Sequence, residues 1–408
     1  MLSVFDSVDE CCGCEACRQI CPKQCISMHE DDKGFRYPVI DQGKCIDCGL
    51  CRKSCFYHHE IVKNQPTECY VYVNNDEQYR LASASSGAFE AVCRAFAQGK
   101  DENELRIFGC TLTPELIACH DYSEGFAGIG KFKKSKYLQS RIGDSFARVR
   151  DFLKAGKTVI FSGTPCQVMG LKSFLKRDYP NLLLIDILCH GVPSQKVFSK
   201  YIYSLERKYH SKVKDYIFRY KIKDTSGQWG NLYVKVTFRN GKSAVMSCSE
   251  DIYMNAFLAG LLNRDACYKC PFATTDRVSD ITLGDFWGIE NFMPEFSEFK
   301  TNGTSLLLFN TPKAFALKDA LSADAALKSL PLEAAIPFNG QLSHPMSYPP
   351  KRDIFYMNLN RKNGFMKGME ACYPERYGWR VELRNKLYAS RWYQTLSRLK
   401  NSIFNNFH

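Results

Sequence analysis

No stretch of this 408-residue chain is apolar for long enough to cross a bilayer. The longest run, Leu182 to Leu188, is interrupted by Asp186, whereas a spanning helix needs about 20 residues. The first ten residues hold Asp6, Asp9 and Glu10 and no basic residue, which is not the pattern of a signal or transit peptide. A cytoplasmic protein is therefore expected. There is no Gly-x-Gly-x-x-Gly, so a Rossmann dinucleotide site has no support. The segment Gly125 to Lys131 imitates a phosphate-binding loop, but Phe132 stands where the Mg²⁺-holding hydroxyl belongs. That resemblance is rejected.

Cysteine, by contrast, is abundant. The chain holds 20, and ten of them (Cys11, Cys12, Cys14, Cys17, Cys21, Cys25, Cys45, Cys48, Cys51 and Cys55) fall between residues 11 and 55. A large chain without an export signal keeps thiols rather than disulfides, and gaps of two or three residues suit metal ligation. Cys11, Cys14, Cys17 and Cys21, followed by Pro22, reproduce the bacterial ferredoxin run. Cys45, Cys48, Cys51 and Cys55 repeat it, with Phe56 in place of the proline. A tight loop brings three thiolates to three corners of one cubane, and the fourth corner needs a more distant ligand. In two-cluster ferredoxins that ligand comes from the other run. One [4Fe–4S] cluster is thus assigned to Cys11, Cys14, Cys17 and Cys55, the other to Cys45, Cys48, Cys51 and Cys21. Zinc prefers two CxxC pairs and does not suit two seven-residue triplets. Cys12 and Cys25 are read as bystanders.

The rest of the chain is ordinary globular material, 45% hydrophobic and 24% charged. A polar linker, Lys63 to Thr67, closes a cysteine-dense domain at residues 1–62. From strand-like Tyr70 to Val73 onward, strands and helices alternate. Helices are expected at 86–98, 144–155 and 167–177, and strands at 105–112, 158–161 and 182–188. Two alternating runs flank Asn240-Gly241, a hairpin signal. A helix at 250–262, strands at 281–284 and 306–309 and a helical basic tail follow. The expected fold is an α/β main domain with a mixed, non-Rossmann sheet (68–345), behind a small α+β ferredoxin-like domain and ahead of a basic tail (346–408).

The main domain carries a second cysteine set: Cys166 and Cys189, each where a strand gives way to a turn, and the pair Cys267 and Cys270. Strand ends are where open α/β sheets place their sites. Spacing alone leaves a third cluster, zinc and unliganded thiols all open.

These motifs, together with Ser85-Ser86-Gly87, Ser135 to Ser140, Ser162 to Leu171, Cys189 to Ser194 and Ser279 to Gly288, resemble the coenzyme F420 hydrogenase/dehydrogenase beta-subunit family over roughly residues 9 to 300. The resemblance implies FAD on a non-Rossmann α/β domain and a third [4Fe–4S] cluster on Cys166, Cys189, Cys267 and Cys270. It implies flavin contacts from Ser85, Ser86, Gly87, Lys136, Gly163, Thr164 and Asp285, with coenzyme F420 as a candidate substrate. The expected activity is that of an iron–sulfur flavoprotein oxidoreductase acting on a soluble small molecule. A coenzyme F420-dependent dehydrogenase and a non-catalytic electron-transfer subunit of a larger redox complex are the alternatives.

The formal charge is +12. Each cubane with four thiolates carries about −2, so three would leave roughly +6. This favours an acidic partner, an anionic cofactor or an anionic surface, and does not single out nucleic acid; an electron-transfer protein such as a ferredoxin is the expected protein partner. An oligomer is expected. Residues 376–408 hold seven Lys or Arg and one Glu, with Tyr388, Trp392, Leu396, Leu399 and Ile403 at helical spacing. That pattern is read as a docked helix with a solvated basic face rather than a peripheral membrane anchor. Anaerobically purified protein is expected to carry about twelve iron atoms with three cubanes and about eight with two. Cys17→Ala and Cys51→Ala should each remove about four, by iron and sulfide assay; stoichiometric zinc with little iron would contradict the assignment.

Overall fold

The computed structural model describes residues 3–223, 229–299 and 302–378. The amphipathic stripe between residues 388 and 403 lies outside the described residues. The ferredoxin-like module is built around an antiparallel hairpin, β1 (Ile26–Glu30) with β2 (Arg36–Ile40). Its two cysteine runs share one backbone. Gly13 and Glu15 have positive φ (69° and 62°), and so do Asp47 and Gly49, 34 residues later (54° and 68°). Short helices, Ala16–Ile20 and Leu50–Lys53, follow at the same offset. The left-handed residues curl each loop around its thiols. Glycine takes this shape without a Cβ penalty, once before and once after the middle cysteine.

Behind the module an eight-stranded sheet runs in the order β13–β3–β12–β11–β7–β6–β4–β5. The strands are β3 (Glu68–Asn74), β4 (Leu105–Leu112), β5 (Ala118–Glu124), β6 (Thr158–Gly163), β7 (Leu182–Ile187), β11 (Ile281–Asp285), β12 (Ser305–Phe309) and β13 (Ala325–Leu330). The middle four, β11, β7, β6 and β4, are parallel, and every other pairing is antiparallel. Runs such as Leu182 to Ile185 and Leu306 to Phe309 are buried throughout, as strands covered on both faces must be. Helix Pro165–Leu175 links β6 to β7 and starts with a capping box, in which Thr164 and Gln167 satisfy each other's backbone.

A second, three-stranded antiparallel sheet of β8 (Val213–Lys223), β9 (Trp229–Phe238) and β10 (Ser243–Ser247) stands beside the first. The hairpin at Asn240-Gly241 joins its last two strands, with Gly241 at φ +84°. Helices Gln195–Tyr209 and Ile252–Leu258 pack against it. The alternating pattern of the sequence located most strands of the main sheet. It missed β5 and β13 of that sheet and β8 of the second, where polar and apolar residues do not alternate strictly. Within the segment expected as a tail, residues 352–372 form two helices, Arg352–Leu359 and Gly364–Cys372. Phe355, Leu359, Phe365 and Met369 from these are fully buried in the same core as Phe198 and Tyr253. This much of the segment is core rather than a surface appendage, because its apolar residues recur on one face that the three-stranded sheet leaves to be covered. Among the described residues no helix is long and apolar enough to cross a membrane.

Phe355 and Phe365 meet edge to face at 5.6 Å. Phe355→Ala should cost about 3–5 kcal/mol through the cavity left behind, read as a lower urea midpoint at unchanged slope. A neutral result would mean that this helix is not part of the cooperative core.

Candidate functional site

The structure gathers the twelve assigned cysteines into three groups. Cys11, Cys14, Cys17 and Cys55 line one small cavity, together with Cys12. Cys21, Cys45, Cys48 and Cys51 line another, together with Cys25, whose sulfur lies 3.4 Å from that of Cys21. The fourth cysteine of each run thus stands with the other run's triplet. Cys48 is exposed, whereas Cys17 and Cys51 are buried, so the second group is the outer one. Burial raises the Cys17 thiol and pushes that of Cys55 up to about 12. Thiolates crowded this way repel one another, and a bound cation cluster is what would hold them ionised.

The main domain brings Cys166, Cys189, Cys267 and Cys270 together at the C-terminal ends of the parallel strands. Burial, then the neighbouring thiols, push Cys267 up to about 12 and Cys270 up to about 11, and raise Cys189. Cys166 opens helix Pro165–Leu175, 3.2 Å from the Thr164 hydroxyl. The neighbouring Cys12 thiol lowers it to about 7. Cys12, read as a bystander, is therefore the cysteine of the module that lines both the cavity of Cys14 and that of Cys166. No spacing rule could have signalled this, since the contact spans two domains.

The module is seated by close packing. Gly170 faces Cys14 so tightly that a Cβ there would lie 2.8 Å from the Cys14 Cβ and 3.0 Å from its sulfur. Phe56 is buried and packs edge to face on Phe272 at 5.4 Å, two residues beyond Cys270. Arg277 ties that same loop to the sheet. It donates to Phe272 O (3.0 Å) and Thr282 Oγ1 (3.1 Å) and pairs with the fully buried Asp186 (3.0 Å). Removing either member of such a pair costs about 3–5 kcal/mol.

Between the two sheets lies a cavity of about 400 Å³, lined by Ser85, Gly87, Lys136, Gly163, Thr164, Cys166, Cys189 and Asp285 among others. Ser86 is not brought to it. Its side chain turns into the sheet and donates to Tyr72 O at 2.5 Å, while its N–H donates to the Ser305 hydroxyl. The backbone N–H that Ser86 was expected to offer a cofactor is thus taken up by Ser305. Gly87, at φ +91°, caps helix Ala88–Ala97, and any Cβ there would strike the Tyr79 ring at 2.6 Å. Lys136 donates to the carbonyls of Lys131 and Lys133 (both 2.9 Å), and burial lowers its pKa to about 8. Asp285 accepts from Arg219 at 2.9 Å, and Arg219 stands 5.9 Å from the Trp287 ring centre.

Arg219 and His120 were not legible as site residues. Arg219 sits on β8, which was not recognised as a strand. His120 is buried between Ser162 O (3.0 Å) and the Ser140 hydroxyl (2.9 Å) and stacked on Phe161. Burial lowers it to about 4, so it is neutral. The signal was that Ser140 closes one motif and Ser162 opens another, but their shared partner is remote in sequence.

Paired cubane loops backing onto strand-end thiols and a ligand-sized cavity define an iron–sulfur redox protein with a mixed α/β domain. Residues 10–58 match the 4Fe–4S dicluster domain, and residues 156–334 match the C terminus of the coenzyme F420 hydrogenase/dehydrogenase beta subunit. The chain therefore carries a 4Fe–4S dicluster domain followed by a domain like the C terminus of that beta subunit. It is 28% identical over 94 residues to an uncharacterized ferredoxin of Methanocaldococcus jannaschii, matching 23% of this chain and 48% of that one. The chain thus spans about half the length of this curated relative. A chain from the F420-reducing [NiFe] hydrogenase complex of Methanosarcina barkeri is similar over 78% of this chain and 95% of its own, at 16% identity and a TM-score of 0.44.

A Gly170→Val substitution should push the Cys14 loop away from its group and lower the iron content by about four atoms, with the far-ultraviolet spectrum unchanged. Full iron content would mean that Cys14 is not held by this contact.

Proposed function

We propose that the chain is an iron–sulfur flavoprotein oxidoreductase, binding FAD in the 400 Å³ cavity and a third [4Fe–4S] cluster on Cys166, Cys189, Cys267 and Cys270. One observation carries this reading. A single cavity has Cys166 and Cys189 on one wall and Ser85, Gly87 and Lys136 on another. FAD, when bound, would exchange two-electron hydride chemistry for one-electron transfer. The residues present fit such a group. Gly87 opens a ten-residue helix that no side chain caps, which leaves its first N–H groups for an anion. Lys134 and Lys136 supply cations. Leu188, Phe257 and Leu283 keep part of the wall dry. Asp285 is held by Arg219, and Lys221 fixes the turn before Gly87 by donating to Ser85 O at 2.6 Å.

The thiol groups then form a graded path: cavity, main-domain set, Cys12 and Cys14, and finally the outer set with exposed Cys48. Exposed Cys48 and Ile46 make that end the natural docking point for a ferredoxin-like partner. At the other end, Ile187, Leu258 and Trp287 line the cavity and remain exposed, which suits entry of a soluble substrate with an apolar face. The family description favours reduced coenzyme F420 as the hydride donor. A subunit that only wires electrons within a larger complex is the alternative, and it would need no flavin.

Purified chain should hold about one non-covalent FAD and be reduced by coenzyme F420H₂. Flavin without that reduction leaves an oxidoreductase with another substrate, and no flavin leaves the wiring subunit. Gly87→Val is a poor probe because Tyr79 already forbids it, so Lys136 is the better one. Lys136 is charged below about 8, so FAD affinity should fall as pH rises beyond that value. Lys136→Met should weaken binding about tenfold at pH 7, about 1.4 kcal/mol, and flatten the pH dependence. An unaltered flavin dissociation constant would remove Lys136 from the site.

A further inference from the structure

Arg264, Arg277 and Arg352 are among the largest fully buried side chains of the described residues. Arg277 pairs with Asp186 at 3.0 Å and Arg352 with Asp265 at 2.9 Å. Arg264 has neither exposure nor, among the described residues, a carboxylate partner. Its Nε donates to Cys11 O (2.6 Å), Nη1 to Gln139 Oε1 (3.1 Å) and Nη2 to Arg36 O (3.0 Å). All of these acceptors are neutral. It also lies 4.1 Å from the centre of the Tyr37 ring and 5.5 Å from that of Phe35, so two aromatic faces share its charge. A permanently charged guanidinium is costly to bury without an anion.

The remaining contact is the informative one. Nη2 points at the sulfur of Cys11, 3.7 Å away. Arg264 is also three residues before Cys267 in the chain, and its N–H bonds to Val192 O while its carbonyl accepts from Cys267 N. It is therefore clamped between the first cysteine group of the module and the main-domain group. Gly13 makes the approach feasible: a Cβ there would lie 2.9 Å from Arg264 Nη1. The orphaned cation finds its counter-charge only if the Cys11 group carries a net negative cluster, about −2 when oxidised and one unit more when reduced.

We infer that Arg264 is a potential-setting residue, which stabilises the reduced form of the cluster on Cys11, Cys14, Cys17 and Cys55 through its buried charge and its N–H···S bond. Hydrogen bonds to sulfur and local net charge are the protein's levers on cluster potential. Arg264 acts through the Cys11 thiolate and touches no substrate, so it is a positioning residue. A cation at this junction favours parking an electron on the module side, drawing it away from the cavity. The inference rests on the assignment of a cluster to Cys11, Cys14, Cys17 and Cys55.

The test is an EPR-monitored redox titration of the anaerobic full-length chain, with iron counted in parallel, on wild type, Arg264→Gln and Arg264→Lys. The relevant signal is the one absent from Cys17→Ala. If wild type shows no such cluster, the assignment itself fails, before Arg264 is in question. With iron retained, Arg264→Gln should lower the reduced-to-oxidised ratio at fixed potential about tenfold, a downward shift of about 59 mV for one electron. Arg264→Lys, which keeps the charge but loses the fork geometry, should shift it the same way by less. Either variant that keeps its iron and titrates at the wild-type potential overturns the inference. So does loss of iron from both variants, which would make Arg264 a scaffold residue instead.

Discussion

The seating of the ferredoxin-like module on the first turns of helix Pro165–Leu175 is the contact on which the rest depends. The module's own core amounts to Val4, Cys17, Cys25, Ile26 and Cys51. So small a nucleus cannot offset the conformational entropy of some 60 residues without clusters or a neighbour. It exports its larger apolar side chains. Ala16 and Phe56 enter the core under helix Pro165–Leu175, and Phe35 and Tyr37 join the core of the second sheet. Both halves of the molecule therefore hold the module, and its thiols are placed as accurately as the sheet is.

That placement serves electron transfer, which needs redox groups close together and shielded from water. Gly170 lets Cys14 approach the helix that carries Cys166, and Cys12 fills the remaining gap. Arg277 and Asp186 lock the Cys270 loop to β7 and β11 from beneath. Buried ion pairs contribute little net stability, but they specify one geometry strongly, because either partner alone is expensive. The charge pattern follows the same logic. Arg277, Arg352 and Arg219 each answer a carboxylate, whereas Arg264 answers sulfur.

The cavity is built without any dinucleotide fingerprint. The parallel strands β6, β7 and β11 bring Thr164 and Cys189, each just past a strand end, and Asp285, the last residue of β11, to one cavity. The second sheet closes the other side with Arg219, Leu232 and Cys248. Another part of the lining comes from a turn far away in sequence, 83–87, which Lys221 of the second sheet holds in place.

The paired iron–sulfur loops were legible in the sequence by itself. Cysteine spacing within two short loops is a local property, and a thiolate's preference for iron needs no tertiary context to be recognised. The same holds for the strands rich in buried aliphatic residues and for the Asn240-Gly241 turn. What only the tertiary structure decided is which groups meet. Ser86, next to a helix cap, could be read as facing a ligand, yet its hydroxyl is spent on Tyr72 O. Cys12 belongs to neither ferredoxin run, yet it lines one cavity together with Cys166, 154 positions away. Arg264 looked like any arginine before a CxxC pair. Whether a charge is buried, and what answers it, depends on chain segments hundreds of residues apart, and no local pattern encodes that distance.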